Sequence, residues 1–413
     1  MTSLILLAAG DNTRMISNKP KVLQKLSGKT LIQHIIDTVS SLSQITKVFI
    51  VYKNEILKSI FSKKKTIWIR QEKALGTAHA VSVVLPYLST KERVLLLCGD
   101  VPLISEGSLE KLIESTCEKD LGLIVGKVEN PYGFGRIIRD IDNNITSVVE
   151  EKQASCLQKK IKEINSGIYI IAARLLLSWL PKISITDSEY HLTNIVYFAY
   201  KNDMSIKYIE PENNFEILGV NSFSQLIFLE KKWKKYLFQN FIRQGVFFAD
   251  YNNLYIRCDK NSLIGRDTFI DTNVILQGNI NIGYNCSIGA NCILTNCEIM
   301  NDVTVLPNTM IENSKICSSV VVGPFSHIHS GTVIGEKSCV GNFVEIKNTH
   351  TKHGLKAKHL SYIGDSTIGN NCNIGSGVVT CNYNGDQTEK LTTNISDNVF
   401  VGANSELIAP LSI

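Results

Sequence analysis

The sequence lacks the marks of several protein classes. Its eleven cysteines stand singly without a CxxC pair, which is typical of reduced thiols rather than of a disulfide scaffold or a zinc site. No stretch is apolar for long enough to span a membrane, and MTSLILLAAG has neither the basic lead nor the apolar length of a signal peptide. The net charge is only +5, with scattered basic residues. We therefore expect a soluble, cytoplasmic protein with no nucleic-acid partner and no membrane partner.

The first glycine loop lacks two common nucleotide-binding signatures. Residues 3–9 form a short apolar run that predicts a buried strand, and a small polar loop follows from Gly10. The loop has neither GxGxxG spacing nor a GKS or GKT ending, which argues against a dinucleotide fold and a P-loop. A glycine loop between strand and helix still presents backbone amides to phosphates, and Arg14 and Lys21 lie where cations could meet them.

The most regular feature of the sequence is an apolar residue at every sixth position from Ile264 to Ile413. The series is Ile264, Ile270, Leu276, Ile282, Ile288, Leu294, Ile299, Val305, Ile311, Ile316, Val322, Ile328, Ile334, Val340, Ile346, Tyr362, Ile368, Ile374, Ile395, Val401, Leu407 and Ile413, with occasional shorter steps. A period of six predicts a parallel β-helix of hexapeptides, because neither a helix nor an alternating strand has it. A sandwich of short strands would not keep this phase. Glycine often follows the apolar residue, and we expect it to turn each corner.

Two segments interrupt the hexad period. They are Lys347–Ser361 and Cys381–Asn394, and both are predicted to be loops that leave the prism. Loops on a rigid scaffold frequently carry chemistry.

The first half of the chain alternates strand and helix patterns. Strands are predicted at 47–52, 67–70 and 94–100, and helical patterns at 30–41 and 77–88, which indicates a doubly wound sheet with ligands at the carboxyl ends of its strands. Asp100 stands at such an end, although an aspartate there is as often a turn former. Residues 222–244 have helical spacing before Gly245. The predicted domains are 1–221, a helical linker at 222–245, and 246–413.

Several motifs together carry a resemblance. They are LAAG at 7–10 with TRM at 13–15, PK at 20–21, Gln71, LGTAHA at 75–80, GDVPL at 99–103, GFGRI at 133–137, VE at 149–150, INSGI at 164–168 and GVN at 219–221. With the hexads, the sequence resembles the bacterial bifunctional N-acetylglucosamine-1-phosphate uridyltransferase/glucosamine-1-phosphate acetyltransferase family over nearly the whole chain. The resemblance implies an α/β, Rossmann-like nucleotidyltransferase domain followed by a left-handed parallel β-helix.

The resemblance implies a first site that joins UTP to N-acetylglucosamine 1-phosphate. Asp100 and Asn221 would hold Mg²⁺, which prefers oxygen ligands. Residues implied to bind UTP or the product UDP-N-acetylglucosamine are Leu7, Ala8, Ala9, Gly10, Arg14, Lys21, Gln71, Gly76, Thr77, Gly135, Glu150, Asn165 and Asn221. Among these, Gln71, Gly76 and Thr77 would read uracil, and Gly135, Glu150 and Asn165 would hold the sugar.

The resemblance also implies a second site that acetylates glucosamine 1-phosphate with acetyl-CoA, in a homotrimer. His359 would be the general base. Substrate-binding residues would be His329, Lys347, Tyr362 and Asn373, acetyl-CoA-binding residues would be Ser376, Asn382, Tyr383 and Ala403, and Lys390 is also implied at this site. We assign no metal to His350, His353 and His359, because no carboxylate or thiolate cluster lies beside them in the sequence.

Three departures from the family bear on activity. Cys98 replaces a tyrosine without removing a ligand, whereas His329 replaces an arginine that binds the sugar phosphate, and the hexads reach only Ile413 where family members continue. We therefore expect weakened acetyl transfer. Two alternatives stay open: uridyl transfer alone with the β-helix as a trimerisation scaffold, or a nucleotidyltransferase for another sugar 1-phosphate.

Overall fold

The computed structural model describes residues 1–10, 15–60, 66–259, 261–385 and 390–413, without the side chains of residues 59 and 60. The chain divides into two compact units, Met1–Glu230 and Lys231–Ile413. Arg14, one of the predicted phosphate ligands, lies outside the described residues. Among the residues described, no helix has both the length and the apolar character needed to cross a bilayer.

The described residues up to Arg243 form eleven strands and seven α-helices. The strands are β1 (Thr2–Leu7), β2 (Lys25–Leu26), β3 (Lys29–Thr30), β4 (Ile45–Tyr52), β5 (Thr66–Arg70), β6 (Arg93–Cys98), β7 (Leu121–Lys127), β8 (Arg136–Arg139), β9 (Ile145–Val149), β10 (Glu163–Ala172) and β11 (Ile206–Ile209). The α-helices are α1 (Leu31–Ser40), α2 (Ile56–Ile60), α3 (Thr77–Ser82), α4 (Glu106–Ser115), α5 (Ala173–Trp179), α6 (Asn194–Lys201) and α7 (Phe223–Arg243). Short 3₁₀ helices lie at Lys21–Leu23, Leu85–Tyr87, Gln158–Lys160, Leu180–Lys182 and Asn214–Ile217.

The main sheet of this unit has the order β11-β7-β10-β6-β1-β4-β5. Most neighbours are parallel, but β10 runs antiparallel to β6 and β7, so the sheet is mixed. The predicted strands are apolar on both faces because alternate residues enter different cores: Ile5 packs in one cluster, whereas Leu4 and Leu6 pack in the other. The strand and helix pattern of the sequence therefore corresponds to a sheet covered on both faces.

Local capping residues set several helix ends. Thr30 accepts a hydrogen bond from the Gln33 amide at the start of α1, and Ser105 does the same for Ser108 at the start of α4. The predicted linker helix is α7, which begins in the first unit and ends in the second. Gly245 follows it with a φ of 88°, as expected for a glycine after a helix C-terminus.

The second unit is built almost entirely of short strands. They are β12 (Phe247–Phe248), β13 (Tyr255–Cys258), β14 (Leu263–Ile264), β15 (Phe269–Ile270), β16 (Ile275–Gly278), β17 (Asn281–Ile282), β18 (Ser287–Ile288), β19 (Ile293–Thr295), β20 (Glu298–Ile299), β21 (Thr304–Val305), β22 (Met310–Glu312), β23 (Lys315–Ile316), β24 (Val321–Val322), β25 (His327–Ile328), β26 (Val333–Ile334), β27 (Cys339–Lys347), β28 (His350–Thr351), β29 (Lys356–Gly364), β30 (Ser366–Ile368), β31 (Asn373–Ile374), β32 (Val379–Cys381), β33 (Thr393–Ile395), β34 (Phe400–Val401), β35 (Glu406–Ile408) and β36 (Leu411–Ser412).

These strands pair in parallel and wind around three faces. Each strand pairs with the strand three elements further on, as β15 does with β18, except where β27 and β29 each run across two faces. Most hexad residues point inward and are almost fully buried, Ile270 and Ile328 among them. This is the predicted parallel β-helix, and its parallel curled sheets are consistent with the left-handed form.

The corners are made differently from the prediction. The glycines that follow the apolar residues do not have positive φ, as Gly265, Gly283 and Gly289 show. A Cβ on Gly265 would lie 2.6 Å from the carbonyl carbon of Gly283 in the next coil. These glycines therefore permit the coils to approach closely. The left-handed corner falls instead on residues such as Asn291, with a φ of 61°. Asparagine is favoured there because it tolerates this region and can bond to the same residue in the next coil, as Asn291 does with Asn308.

The prediction that Lys347–Ser361 is a loop is wrong. This segment forms a continuous coil in which Thr351 and Ala357 take the inward positions, so small or polar side chains concealed the repeat. Tyr362 is also not inward; Ile363, paired with Ile346, is buried in its place. Ile413 likewise remains 39 % exposed.

The second predicted interruption does leave the prism. Thr380 pairs with Leu407, an offset of 27 positions, whereas Ile270 pairs with Ile288 at the ordinary offset of 18. Residues 386–389 of this insertion lie outside the described part of the chain.

Candidate functional sites

The side-chain oxygens of Asp100 and Asn221 both contact the ammonium group of Lys21. Nζ of Lys21 lies 2.6 Å from Oδ2 of Asp100 and 2.8 Å from Oδ1 of Asn221. A carboxylate oxygen and an amide oxygen therefore face the same cation. The observation fits Mg²⁺, which takes oxygen ligands.

The backbone brings these residues together from distant parts of the chain. Asp100 follows β6, whose end lies beside the end of β1 because Leu7 pairs with Cys98. The Val220 amide then donates to the Asp100 carbonyl over 2.8 Å, which places Asn221 beside the Asp100 side chain. The predicted pair therefore lies at the carboxyl edge of the parallel strands, where ligands bind in sheets of this type.

An open cavity of about 270 Å³ lies beside this pair. Its lining includes the predicted residues Thr77, Asp100, Gly135, Glu150, Asn165 and Asn221. The remaining predicted residues that the structure describes, namely Leu7, Ala8, Ala9, Gly10, Lys21, Gln71 and Gly76, are not in its lining. Lys21 nevertheless contacts two lining residues, so it belongs to the same site.

Two buried polar atoms at this cavity make no hydrogen bond of normal geometry within the described residues. They are Oδ1 of Asn165 and the hydroxyl of Tyr169. Burial and the nearby Glu150 raise the pKa of Tyr169, which keeps its hydroxyl neutral and able to donate. Buried polar atoms without partners are costly, so this end of the cavity is suited to a polar ligand such as a sugar hydroxyl or an amide.

Glu150 and Gly135 form the adjoining wall. Oε1 of Glu150 accepts a hydrogen bond of 2.9 Å from the Thr193 hydroxyl. The carbonyl of Gly135 accepts from the Asn165 amide, and a Cβ on Gly135 would lie 2.8 Å from Val148. Gly135 is therefore required for space, and its backbone fixes Asn165.

The predicted uracil readers are held by their own contacts. Gln71 is buried, with Nε2 2.8 Å from Nδ1 of His79. Gly76 has a φ of 106°, and a Cβ there would lie 2.6 Å from the Tyr190 carbonyl oxygen. The Thr77 hydroxyl accepts from the Leu192 amide over 3.0 Å. These three residues are close in sequence, but only Thr77 lines the cavity.

Cys98 lines the cavity without being a nucleophile. Burial and the neighbouring Asp100 raise the pKa of its thiol to about 12, so the reactive thiolate is absent near neutral pH. A Cβ on Gly167 would lie 3.1 Å from its sulfur. Cys98 therefore shapes the cavity, in agreement with the expectation that it removes no ligand.

In the second unit, His359 is oriented by the preceding coil. It pairs with Asn342 across β27 and β29, and its Nδ1 lies 2.8 Å from Oδ1 of Asn342. An amide oxygen can only accept, so Nδ1 must carry the proton in this hydrogen bond. In the neutral ring Nε2 is then left as the basic nitrogen, as a general base requires.

A second group of predicted residues lies further along the same strands. Lys347 pairs with Gly364, and Nδ2 of Asn382 lies 3.3 Å from the Tyr362 hydroxyl. Asn382 also donates to Asp365 over 2.6 Å, which fixes its position beside Tyr362. Tyr362 lies three residues after His359, beyond the corner at Leu360, where β29 passes from one face of the prism to the next.

The other predicted residues of the second site are distributed over the coils. His359, Ser376 and Ala403 occupy equivalent positions in successive coils, since Ala357, Ile374 and Val401 pair in turn. Asn373 precedes Ile374 in the same strand and lies between Lys356 and Phe400 of the adjacent coils. Nζ of Lys390 lies 4.2 Å from the ring centre of exposed Tyr383.

His329 belongs to a polar cluster of its own. Its ring stacks on His327 with 3.6 Å between ring centres, and its Nε2 lies 2.7 Å from Oε1 of Glu345. Burial and the proximity of His329 lower the pKa of His327. An imidazole paired with a carboxylate does not present the fork of an arginine, and weaker phosphate binding at this position stays a prediction.

Sequence reasoning missed several residues at these sites. Tyr169 and Thr193 line the first cavity, while Asn342 and Asp365 position predicted residues of the second unit. For Asn342 a signal existed: it lies 17 positions before His359, which is one coil of the repeat. For Tyr169 no pattern in the sequence indicates that its hydroxyl lines the cavity.

Two protein families match parts of the chain. Residues 4–141 match the family described as MobA-like NTP transferase domain, and residues 258–349 match the family described as GMPPB C-terminal domain. A putative glucose-1-phosphate thymidylyltransferase from Bacillus anthracis is similar in structure over 56 % of this chain and 95 % of its own, with 16 % identity and a TM-score of 0.46. At that score the similarity carries no argument.

Curated relatives match over the full length. The bifunctional protein GlmU of Francisella tularensis subsp. novicida and that of F. tularensis subsp. mediasiatica each share 45 % identity with this chain over 414 residues. Each alignment covers 100 % of this chain and 90 % of the relative. This chain therefore belongs to the family of the bifunctional protein GlmU.

Proposed function

We propose that the first unit makes UDP-N-acetylglucosamine and pyrophosphate from UTP and N-acetylglucosamine 1-phosphate. The observation that carries the proposal is the shared contact of Asp100 and Asn221 with the Lys21 ammonium group, beside a cavity that is also lined by the buried polar side chains of Asn165 and Tyr169. Phosphates belong at the cationic end, and the sugar belongs beside Asn165 and Tyr169. Family membership supports the same reaction.

The chemistry is an in-line displacement at phosphorus. A phosphate oxygen of the sugar phosphate attacks the α-phosphorus of UTP, and the bond to the β-phosphate oxygen breaks as pyrophosphate leaves. Mg²⁺, held by Asp100 and Asn221, would supply neutralising charge for the phosphates. Lys21 adds a cation at the same place, and the cavity walls hold the sugar so that the two reactants meet in a fixed orientation. No protein nucleophile is required.

The test is pyrophosphate release from UTP and N-acetylglucosamine 1-phosphate with Mg²⁺. Asp100→Ala should abolish it, while Asp142→Ala, which changes an exposed aspartate of the same unit, should not. Retained turnover in Asp100→Ala would refute the metal role. A panel of other nucleotides and sugar phosphates tests the alternative: faster turnover with another pair would replace the proposed substrates.

For the second unit we propose acetylation of glucosamine 1-phosphate by acetyl-CoA, with His359 as general base. The substrate amine attacks the thioester carbonyl, Nε2 of His359 takes the amine proton, and the thiol of coenzyme A leaves. The hydrogen bond from His359 to Asn342 supports this role because it directs Nε2 outward as the basic atom. His359→Ala should remove thiol release, with His350→Ala as the control. If the unaltered protein releases no thiol and binds no acetyl-CoA while uridyl transfer is normal, the scaffold alternative holds instead.

We also propose a homotrimer, and two observations support it. Phe325, Phe343 and Leu360 form a column at one corner, with exposures of 50, 58 and 61 % and φ of 56, 58 and 40°. Bulky side chains in that backbone region are rare, and an exposed apolar column is suited to an interface. In addition, His359 and the pair formed by Tyr362 and Asn382 lie on either side of the corner at Leu360, and a neighbouring chain that covers this corner would contact both.

Sedimentation of the unaltered chain tests the trimer, and Phe343→Asp should convert it to smaller species. The proposal also predicts that this variant loses acetyl transfer while keeping uridyl transfer. A monomeric unaltered chain would refute it. We propose the cytoplasm as the location because UTP and acetyl-CoA are the substrates, and all eleven cysteines are free thiols.

A further inference from the structure

The outer face of the β-helix carries two histidines side by side. His327 and His329 flank Ile328, which points into the core, so strand alternation turns both imidazoles outward on the same face. The two rings stack with 3.6 Å between their centres. Two histidines two positions apart on a strand form a natural pair of metal ligands.

Carboxylates from the adjacent coils complete the group. Glu312 lies next to His329 in the preceding coil, because Ile311 pairs with Ile328. Ligand atoms of Glu312, His327 and His329 all lie within 4.8 Å of one another. Glu345 pairs with His327 from the following coil and places Oε1 2.7 Å from Nε2 of His329.

The imidazole nitrogens of this group are sheltered from solvent. Nε2 of His327 and Nε2 of His329 are both inaccessible; Nε2 of His327 makes no hydrogen bond of normal geometry within the described residues, and Nε2 of His329 faces the carboxylate of Glu345. The three side chains that approach one another most closely are each partly buried. A cation bound between the imidazole nitrogens and the carboxylates would supply a partner for these buried polar atoms.

We propose that Glu312, His327 and His329 bind a divalent transition-metal ion of the zinc type, with Glu345 as an additional carboxylate ligand. Two imidazoles with carboxylates favour Zn²⁺ or Co²⁺ over Mg²⁺, which takes oxygen ligands. In a tetrahedral complex with bonds of about 2.0–2.1 Å, neighbouring ligand atoms lie roughly 3.4 Å apart, so these ligand atoms, which lie within 4.8 Å of one another, would draw closer when a metal binds. The site shares no residue with the Asp100 site, whereas His329 is also an expected substrate-binding residue of the acetyltransferase site.

Zn²⁺ binding to the full-length protein tests the proposal, measured by competition with a chromophoric chelator in excess Mg²⁺. The Mg²⁺ occupies oxygen sites such as that of Asp100, so the Zn²⁺ that still binds does so through imidazole. The double variant His327→Asn/His329→Asn should bind one Zn²⁺ fewer per chain than the unaltered protein. The matched control is His350→Asn/His353→Asn, which changes two exposed histidines of the same β-helix and should bind as the unaltered protein does.

Co²⁺ supplies an independent readout. The unaltered protein and the control should show the intense visible absorption of tetrahedral Co²⁺, and the His327/His329 variant should not; circular dichroism establishes that each variant is folded. Should the double variant fail to fold, Glu312→Gln replaces it, with an expected loss of affinity of at least tenfold. Equal Zn²⁺ stoichiometry and equal Co²⁺ spectra in the unaltered protein and the folded variant would overturn the proposal and leave a plain His329–Glu345 ion pair.

Discussion

Arg136 and Glu151 form an ion pair at the edge of the first cavity, with 2.7 Å between Nη2 and Oε2. The arginine side chain is only 1 % exposed, and it also donates to the Phe134 carbonyl. The same glutamate oxygen accepts from the Gly133 amide over 3.1 Å. The pair therefore holds the loop at 133–135, which supplies part of the cavity wall.

Replacing Glu151 by glutamine should destabilise the protein. The change leaves a buried guanidinium without its counter-charge, and removing one member of a buried pair costs about 3–5 kcal/mol when both are fully enclosed. Because Glu151 is 20 % exposed, we expect about 2 kcal/mol in the free energy of unfolding. Urea denaturation measures it.

The control for this change is Glu212→Gln. Glu212 pairs with Lys111 at 2.9 Å, but both side chains are more than half exposed, so solvent screens the pair. We expect no measurable change in stability. Equal losses in Glu151→Gln and Glu212→Gln would show that burial of Arg136 is not the source of the effect.

The same pair predicts a dependence of stability on pH. Although burial opposes it, hydrogen bonds from Arg136 and Gly133 hold the pKa of Glu151 below its ordinary value of 4.5. A carboxyl group whose pKa is depressed by folding contributes stability that is complete above its unfolded pKa and is lost as the pH falls through the folded pKa. The stability difference between the unaltered protein and Glu151→Gln should thus be constant near neutral pH and shrink below about pH 4.5. A difference that stays constant to pH 3 would contradict this assignment.

Substitutions at Gly76 and Gly133 distinguish two free-energy costs of adding a methyl group, backbone strain and overpacking. Both have positive φ, 106° and 86°, but a Cβ at Gly76 would lie 2.6 Å from the Tyr190 carbonyl oxygen, whereas Gly133 has open space. Gly133→Ala should therefore cost about 1–2 kcal/mol from backbone strain alone. Gly76→Ala should cost a further 1–3 kcal/mol, roughly, from overpacking, and it should raise KM for UTP. Urea denaturation compares the two variants, and equal losses would exclude the contact with Tyr190 as a cause.

Residues that follow a strict repeat could be predicted from the sequence. Ile270 and Ile328 lie in the core because a period of six has one structural explanation, and the strand before Asp100 is apolar throughout because both of its faces are covered. In contrast, the coil through Thr351 and Ala357 was missed because inward positions need only be small enough to fit. Side-chain size there is set by neighbouring coils, which a linear pattern does not show.

The candidate sites divide in the same way. Asp100 and Asn221 could be named from motifs, but their convergence depends on the hydrogen bond between the Val220 amide and the Asp100 carbonyl, which joins distant parts of the chain. The group formed by Glu312 and His327 depends on the register between coils. Such contacts follow from three-dimensional pairing, so the local sequence does not reveal them.

Asn342 should act as a positioning residue for His359. Its Oδ1 lies 2.8 Å from Nδ1 of His359, and it touches neither reacting group in the proposed mechanism. Asn342→Ala removes the acceptor that fixes the ring and its tautomer, so kcat for acetyl transfer should fall about tenfold or more, with little change in KM. Thiol release from acetyl-CoA with glucosamine 1-phosphate measures it.

The variant Asn342→Asp distinguishes positioning from a merely structural role. A carboxylate at this position still accepts the Nδ1 proton, so kcat should recover relative to Asn342→Ala. Its negative charge also favours the protonated imidazole, which should move the pH at which His359 becomes an effective base to higher values. If instead Asn342→Asp were as impaired as Asn342→Ala at every pH, or if Asn342→Ala kept full activity, the hydrogen bond would not be what prepares His359 for catalysis.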